Sequence, residues 1–236
     1  MCLINIKIIC PHCHSSKVVK NGVKSTGRQN FLCKSCSKQF QWEYLYRGAD
    51  PSVKSQALSG LLHGNGVRDC LKVFGLSPTT TLNTILSEGK KVQIKARKHY
   101  YERIEIDEMY SFVNSKGKKV WIFYAYAPET KEILAVTMGK RSRKQLKNLM
   151  VQLKCLHIKV GFYCTDAFEG FKKLFPEGNH LIGKQFTKNI EGINTLLRSK
   201  IARLDRRTTK FSKKLKYQWY LFKIIVDKIN RMPSYI

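Results

Sequence analysis

Two C-x-x-C knuckles, Cys10-Pro11-His12-Cys13 and Cys33-Lys34-Ser35-Cys36, set the strongest limit on what this chain can fold into. They lie within residues 1–46, a segment too short for an adequate apolar core, so a metal is expected to hold it folded. Four thiolates at this spacing supply a tetrahedral zinc site. The hydrophilic stretch between them, with Gly22 and Gly27 as turn residues, suits the hairpin of a zinc ribbon. Four thiolates leave no open coordination position, so the zinc is expected to be structural. His12 and His14 flank the first knuckle and read as solvent-facing neighbours. Cys2, Cys70, Cys155 and Cys164 are scattered through apolar segments, which fits reduced core thiols.

Across 236 residues, 44 Lys and Arg stand against 16 Asp and Glu, a formal charge of +28. That excess favours a polyanionic partner, with double-stranded nucleic acid the natural candidate. A membrane surface competes for the role, but no Lys-rich amphipathic helix with an aromatic face is there to lie on it. The longest clear apolar run, Val120 to Ala127, falls far short of the roughly 20 residues that span a bilayer. Met1 to Cys10 is apolar without the basic leader or cleavage site of a secretory signal, and reads as a short strand. A soluble, cytoplasmic, DNA-associated protein without a membrane partner is expected.

The chain divides by pattern into residues 1–46, 47–99 and 100–236. In the second part, Ser52 to Leu62 and Val67 to Phe74 carry apolar residues at helical spacing, and Gly75 ends the second of these helices. Ser77 then reads as an N-cap with Pro78 at the first helical position, and Gly89 as the stop of a third helix whose buried face is Leu82, Ile85 and Leu86. Helix, Gly turn and capped helix outline a helix-turn-helix. Thr79, Thr80, Thr81, Asn83 and Thr84 would line its groove-facing side and offer hydroxyl and amide groups to DNA. Lys90 to Lys98 forms a basic connector.

From Tyr101 the pattern turns to strands: Tyr101 to Val113, Lys118 to Ala127 and Lys131 to Gly139, joined by tight turns into an antiparallel meander. A helix over Arg143 to His157, a strand over Val160 to Thr165, a short helix over Phe168 to Phe175 and a short strand over His180 to Ile182 follow. Helices over Asn189 to Leu204 and Phe211 to Arg231 close the chain. That order predicts an α/β, ribonuclease-H-like domain, a mixed sheet with flanking helices, preceded by the zinc ribbon and the helix-turn-helix.

In so basic a chain, acids beside apolar runs are informative. Within Ile104-Glu105-Ile106-Asp107-Glu108, the two isoleucines point to one face and Glu105 and Asp107 to the other. A carboxylate on a core-forming strand is costly unless paired or holding a metal. Asp166 ends a strand at a carboxyl edge, where open sheets build sites; taken alone it reads rather as a helix N-cap for Ala167 onward, which is compatible with a functional role. Glu191 opens a helix on which Asn194 and Arg198 follow at i+3 and i+7, one polar face beside the apolar stripe. Together Asp107, Asp166 and Glu191 make a three-carboxylate set able to hold magnesium or manganese for in-line phosphoryl transfer. The neighbouring acids Glu105, Glu108 and Glu169 are expected to matter much less. Arg198 to Lys216 holds nine Lys or Arg against one Asp, and Arg203, Arg206, Arg207, Lys210, Lys213 and Lys214 are expected to grip phosphate.

With these residues in hand the sequence resembles a transposase of the insertion-sequence-one family along nearly its whole length. The resemblance rests on the knuckles with Phe31-Leu32-Cys33, the helix-turn-helix, Ile106-Asp107-Glu108, Trp121 to Tyr126, Thr165-Asp166 and Phe211-Ser212-Lys213. It implies that Asp107, Asp166 and Glu191 are the catalytic triad, with the 24 residues 167–190 giving the family's short spacing and Asn194 and Arg198 its glutamate-helix pattern. It implies a DNA transposase that binds terminal inverted repeats, cleaves and transfers strands, and acts on DNA as a dimer or larger assembly. The family's zinc and catalytic regions often come from overlapping frames, whereas one chain carries both here, which implies a complete enzyme. Ile193 departs from the pattern, standing where a His is expected. Two rivals are a non-catalytic DNA-binding regulator derived from such an enzyme and a ribonuclease-H-like nuclease that cleaves without joining. The first has no reason to set acids at all three core-lining positions, and the second no need of a sequence-reading N-terminal half.

Overall fold

The computed structural model describes residues 7–43, 46–171, 174–175, 178–205, 207 and 209–232. Two compact units emerge, one made of the chain up to Gly60 with Val67–Thr81, the other of Leu61–Gly66 with Leu82 onward.

The first unit begins with three antiparallel strands, β1 (Val18–Val23), β2 (Gln29–Cys33) and β3 (Gln39–Gln41), in that order. Phe31 pairs with Phe40 across β2 and β3, and their rings stack at 5.7 Å. With buried Cys10 and Cys33 they form a very small core among the described residues, with Ile8, Val18 and Cys36 packed against it. The turn between β1 and β2 runs from Lys24 to Arg28, where Lys24 N–H donates to the Arg28 carbonyl at 2.9 Å. Gly22 lies in β1 beside a break in register instead. Of the strand expected over Met1 to Cys10, the first six residues, Cys2 among them, lie outside the described residues, and the last four are irregular.

Helices α1 (Pro51–Leu61), α2 (Val67–Phe74) and α3 (Pro78–Lys91) follow. Asp50 Oδ1 accepts from Ser52 N–H at 2.8 Å and so starts α1. Gly75, at φ +69°, ends α2 in the left-handed region that glycine adopts at least cost, and its N–H donates to the Leu71 carbonyl at 3.0 Å. Ser77 Oγ then accepts from Thr80 N–H at 3.1 Å, the expected cap of α3, with Pro78 at the first helical position.

In the second unit β4 (Tyr100–Val113), β5 (Ser115–Ala127) and β6 (Glu132–Gly139) form the antiparallel meander, followed by α4 (Arg143–Cys155). Next come β7 (Lys159–Thr165) and β8 (His180–Ile182), then α5 (Lys188–Lys200) and α6 (Leu215–Arg231). The sheet order is β6-β5-β4-β7-β8, with β7 parallel to both β4 and β8. Because successive side chains alternate between faces, Ile104, Ile106, Phe123 and Ala125 pack with Leu146, Leu149 and Leu153 of α4 on one side. Glu105, Asp107 and Tyr124 meet α5 on the other, where the Tyr124 ring also lies 6.4 Å from that of Phe222 in α6.

Several boundaries differ from the sequence expectation for identifiable reasons. Gly89 does not stop α3, which runs to Lys91. A Cβ at Gly89 would stand 2.5 Å from Tyr220 Cβ, so the glycine permits close approach of α6. The last helix starts at Leu215 because Ser212 is drawn into a parallel bridge with Val113, and its carbonyl accepts from Asn114 N–H at 2.8 Å. The penultimate helix stops at Lys200, and Ala202–Leu204 turn. Of the short helix expected over Phe168 to Phe175, Glu169–Phe171 forms a 3-10 turn, and Lys172 and Lys173 lie outside the described residues. Cys70 and Cys164 are buried thiols, but Cys155 is exposed. No helix among the described residues is long and apolar enough to cross a membrane.

Candidate functional site

The two knuckles are built alike. In each, the N–H of the first cysteine donates five residues ahead, Cys10 to Ser15 and Cys33 to Lys38, both at 3.0 Å. In each, the residue four along donates back to that cysteine's carbonyl at 2.9 Å from a left-handed backbone, His14 at φ 57° and Ser37 at φ 56°. This repeated fold of the backbone brings the Sγ atoms of Cys10, Cys13, Cys33 and Cys36 all within 4.8 Å of one another. Cys10 and Cys36 are 3.7 Å apart and Cys13 and Cys33 3.5 Å apart. A tetrahedron of Zn–S bonds near 2.3 Å has edges of about 3.8 Å, so these two separations match those of a four-thiolate zinc site.

On the α5 side of the sheet, strand register draws the carboxylates together. Ile106 pairs with Thr165 across parallel β4 and β7, so Asp107 on β4 and Asp166, the first residue after β7, are neighbours, each one residue beyond that pair. Tyr124 of β5 pairs with Asp107 from the other side. Asp107 Oδ2 accepts from Asn194 Nδ2 of α5 at 2.7 Å, and Asp107 Oδ1 from Glu108 N–H at 2.7 Å. Asn194 Oδ1 in turn accepts from the buried Tyr124 hydroxyl at 2.8 Å, which fixes which end of the amide faces Asp107. Glu191 stands one helical turn before Asn194 and is exposed. Asp166 Oδ1 accepts from Phe168 N–H at 3.0 Å, closing the turn after β7.

The electrostatics tie the three acids together. Burial raises the Asp107 carboxyl above the ordinary aspartate range, the Glu108 N–H opposes the rise, and the like charges of Asp166 and Glu191 add to it. Burial drives the Tyr124 hydroxyl well above its usual value, so it stays a hydrogen-bond donor. Among the described residues, only the cysteine set brings three or more ligand atoms within 4.8 Å of one another. The acidic set is looser, joined by strand register and charge. Ile193 is 2% exposed and two residues from Glu191, on the far side of the helix, so the departure there falls in the core. Arg198, half-buried, sits close enough to Tyr124 for its charge to act on the hydroxyl.

Two contacts around the acids were not foreseen. Glu105 is fully buried, accepting from Asn189 Nδ2 at 2.6 Å and from Ile190 N–H at 2.8 Å, so it binds the first turn of α5 to β4. Its place two residues from Asp107 on a strand was the available signal. Glu108 is gripped by Arg141, whose guanidinium lies 3.8 Å from the Phe168 ring centre and 4.6 Å from that of Trp121. Nothing in the local sequence pattern pointed to Arg141.

The groove-facing set on α3 needs correction. Thr79 and Asn83 are exposed, but Thr81 and Thr84 are buried, at 1% and 6% exposure. Thr81 Oγ1 donates to the Ser77 carbonyl at 3.0 Å, and the Thr80 hydroxyl is engaged by Tyr46 Oη at 2.6 Å and Ser77 Oγ at 2.9 Å. Consecutive threonines such as Thr79, Thr80 and Thr81 spread around a helix at about 100° each, whereas Thr81 and Thr84, three apart, share the buried face. In the basic run, Arg207, Lys210, Lys213 and Lys214 are exposed, and Arg206 lies outside the described residues. Arg203 is not a surface grip: it is 5% exposed, its guanidinium donates to Ser212 Oγ at 3.1 Å, and its carbonyl accepts from Ser111 Oγ at 2.6 Å.

Residues 103–231, more than half of the chain, match the IS1 transposase family, and residues 3–37 match the InsA N-terminal domain, a zinc ribbon. The insertion element iso-IS1n protein InsB of Shigella dysenteriae is 35% identical over 124 residues, 52% of this chain and 93% of that protein. The insertion element IS1 protein InsB of Shigella sonnei is 33% identical over 109 residues, 46% of this chain and 82% of that protein. A chain from a simian T-cell lymphotropic virus intasome overlays with a TM-score of 0.37 at 13% identity, covering 73% of this chain and 65% of that one, a likeness too weak to carry an argument.

Proposed function

The chain belongs to the IS1 transposase family and is a DNA transposase; on that premise we propose that it binds the terminal inverted repeats of an insertion sequence and cleaves and transfers strands through Asp107, Asp166 and Glu191. The sheet order β6-β5-β4-β7-β8, three strands antiparallel and two parallel, with α4 on one face and α5 on the other, supports a ribonuclease-H-like catalytic domain over residues 100–236. The observation that carries the reading is the Ile106 to Thr165 pairing, which makes neighbours of two aspartates 59 positions apart (166 − 107) beneath the helix that bears Glu191.

The donor set fits magnesium or manganese, since all three groups offer hard oxygen atoms and two like charges already crowd Asp107. Two such ions, when bound, would activate the attacking hydroxyl and stabilise the leaving oxygen of an in-line phosphoryl transfer. The chain's own part is orientation. Asn194, itself held by Tyr124, fixes one oxygen of Asp107 and Glu108 N–H the other, so the carboxylate is set in one orientation. The zinc of the N-terminal ribbon serves folding alone, because four thiolates close its coordination shell.

Sequence reading falls to residues 47–99 as a helix-turn-helix, with Thr79 and Asn83 on the exposed side of α3. Nonspecific grip falls to Arg207, Lys210, Lys213 and Lys214. The protein works as a dimer or larger assembly on DNA in the cytoplasm. A purified assay with oligonucleotides of the element's own ends tests the catalytic assignment: Asp107→Asn is expected to abolish cleavage and joining while end binding persists. Wild-type joining by that variant would move the regulator reading ahead.

A further inference from the structure

Glu105, an acid on the strand that bears Asp107, is fully buried. A carboxylate withdrawn from water destabilises a fold unless both oxygens are bonded and its charge is answered. Both conditions are met at one place, the start of α5. Oε1 accepts from Asn189 Nδ2 at 2.6 Å and Oε2 from Ile190 N–H at 2.8 Å. The helix N-terminus answers the charge, because its free N–H groups carry partial positive charge. Thr187, the residue at the helix start, makes no side-chain cap bond, so Glu105 does from a strand what a capping side chain does locally.

The consequence lies in the next residue. Ile190, whose N–H is held, directly precedes Glu191, and Glu105 stands two positions before Asp107 on the same face of β4. One side chain therefore joins the strand that bears one acid to the helix turn that bears another. We infer that Glu105 is a positioning residue, whose bonds to Asn189 and Ile190 hold Glu191 at its working distance from Asp107. The inference rests on Glu191 being a catalytic carboxylate. Asn194 fixes the same helix one turn later, so the two bonds determine both the height and the rotation of α5 over the strand.

Asn189 gives a cleaner handle than Glu105, because its side chain is on the surface and its replacement leaves the core intact. Asn189→Asp faces Glu105 with a second carboxylate in place of a donor and should push the first turn of α5 away. Glu105→Gln in the same chain restores the bond, since the new amide donates to the new carboxylate and its oxygen still accepts from Ile190 N–H. The full-length protein is assayed for strand joining with end oligonucleotides and, separately, for Mn2+ affinity by electron paramagnetic resonance and for thermal unfolding. Asn189→Asp is expected to lower both joining and Mn2+ affinity by about 10–100-fold, the usual effect of removing a partner that orients a ligand. The double variant should recover most of both; the unfolding midpoint should fall in Asn189→Asp and recover in the double variant, and joining and Mn2+ binding are measured well below the lowest midpoint. Wild-type behaviour of Asn189→Asp, or a double variant no better than the single, overturns the inference while Asp166→Asn still abolishes joining and Mn2+ binding. Should Asp166→Asn leave both intact, the carboxylate assignment itself falls, and this inference with it.

Discussion

Asn194 on α5 donates to Asp107 on β4 at 2.7 Å, and the amide has no freedom to turn over because its oxygen is already taken by Tyr124 Oη at 2.8 Å. A near-isosteric change should therefore be worse than a truncation. Asn194→Ala removes one bond to Asp107, whereas Asn194→Asp sets a third like charge against a carboxylate already crowded by Asp166 and Glu191. Joining rates are expected to fall about tenfold for the alanine variant and toward 100-fold for the aspartate variant. Equal rates for the two would show that orientation of Asp107 is not limiting.

Among the described residues the ribbon's fully buried core is four side chains, two of them cysteines, so the metal is expected to supply most of its folding free energy. Freshly purified, reduced protein should contain one zinc per chain by elemental analysis. Cys33→Ser is expected to lose that zinc and the hydrogen-exchange protection of residues 18–41, while β4 to β7 keep theirs, because the sheet of the second unit has a core of its own. Loss of protection in both would contradict independent cores.

On α3, Asn83→Ala should reduce preference for the element's ends over random DNA by about 1–3 kcal/mol, the worth of one good base contact. Thr81→Ala should leave that preference alone and lower stability by about 1 kcal/mol, since its hydroxyl bonds the Ser77 carbonyl from a buried position. Competition binding at fixed salt separates the two effects.

The same separation applies to the basic run. Lys213→Ala is expected to weaken binding to all sequences alike and reduce the slope of log K against log salt by about one. Arg203→Ala should instead destabilise the fold by about 1–3 kcal/mol, because it leaves Ser212 without its buried donor. A salt slope unchanged in Lys213→Ala would remove that residue from the grip.

Gly89→Ala sets two effects against each other. Alanine favours a helix over glycine by about 1 kcal/mol. Its Cβ, however, would stand 2.5 Å from Tyr220 Cβ and 2.9 Å from the Tyr220 carbonyl oxygen, and such overpacking costs about 1–3 kcal/mol. A lower melting temperature is expected, and a higher one would mean that α6 gives way easily.

Local order was legible in the sequence where one cause acts alone. Apolar alternation gave the meander, the Ser77-Pro78 pair gave the start of α3, and Cys spacing gave the ribbon. The parity of Ile104, Glu105, Ile106 and Asp107 correctly divided the two faces of β4. What the sequence hid depends on pairs distant along the chain. Gly89 reads as a helix stop until Tyr220 is seen against it, and Arg203 reads as a phosphate ligand until Ser212 and Ser111 enclose it. Glu105 reads as a bystander until α5 is laid over the strand. Such contacts carry no local periodicity, so no window of sequence contains them.

The central claim is that Asp107, Asp166 and Glu191 act as one unit in strand transfer, and Asp166→Asn tests it most directly. The substitution keeps the shape of the side chain and weakens a charged oxygen ligand. In a purified assay with magnesium, joining of end oligonucleotides to target DNA is expected to fall to background while end binding is retained. The double variant with Glu191→Gln should be scarcely worse than either single, because groups acting as a unit do not contribute additively. Strand transfer by Asp166→Asn at the wild-type rate would contradict the account.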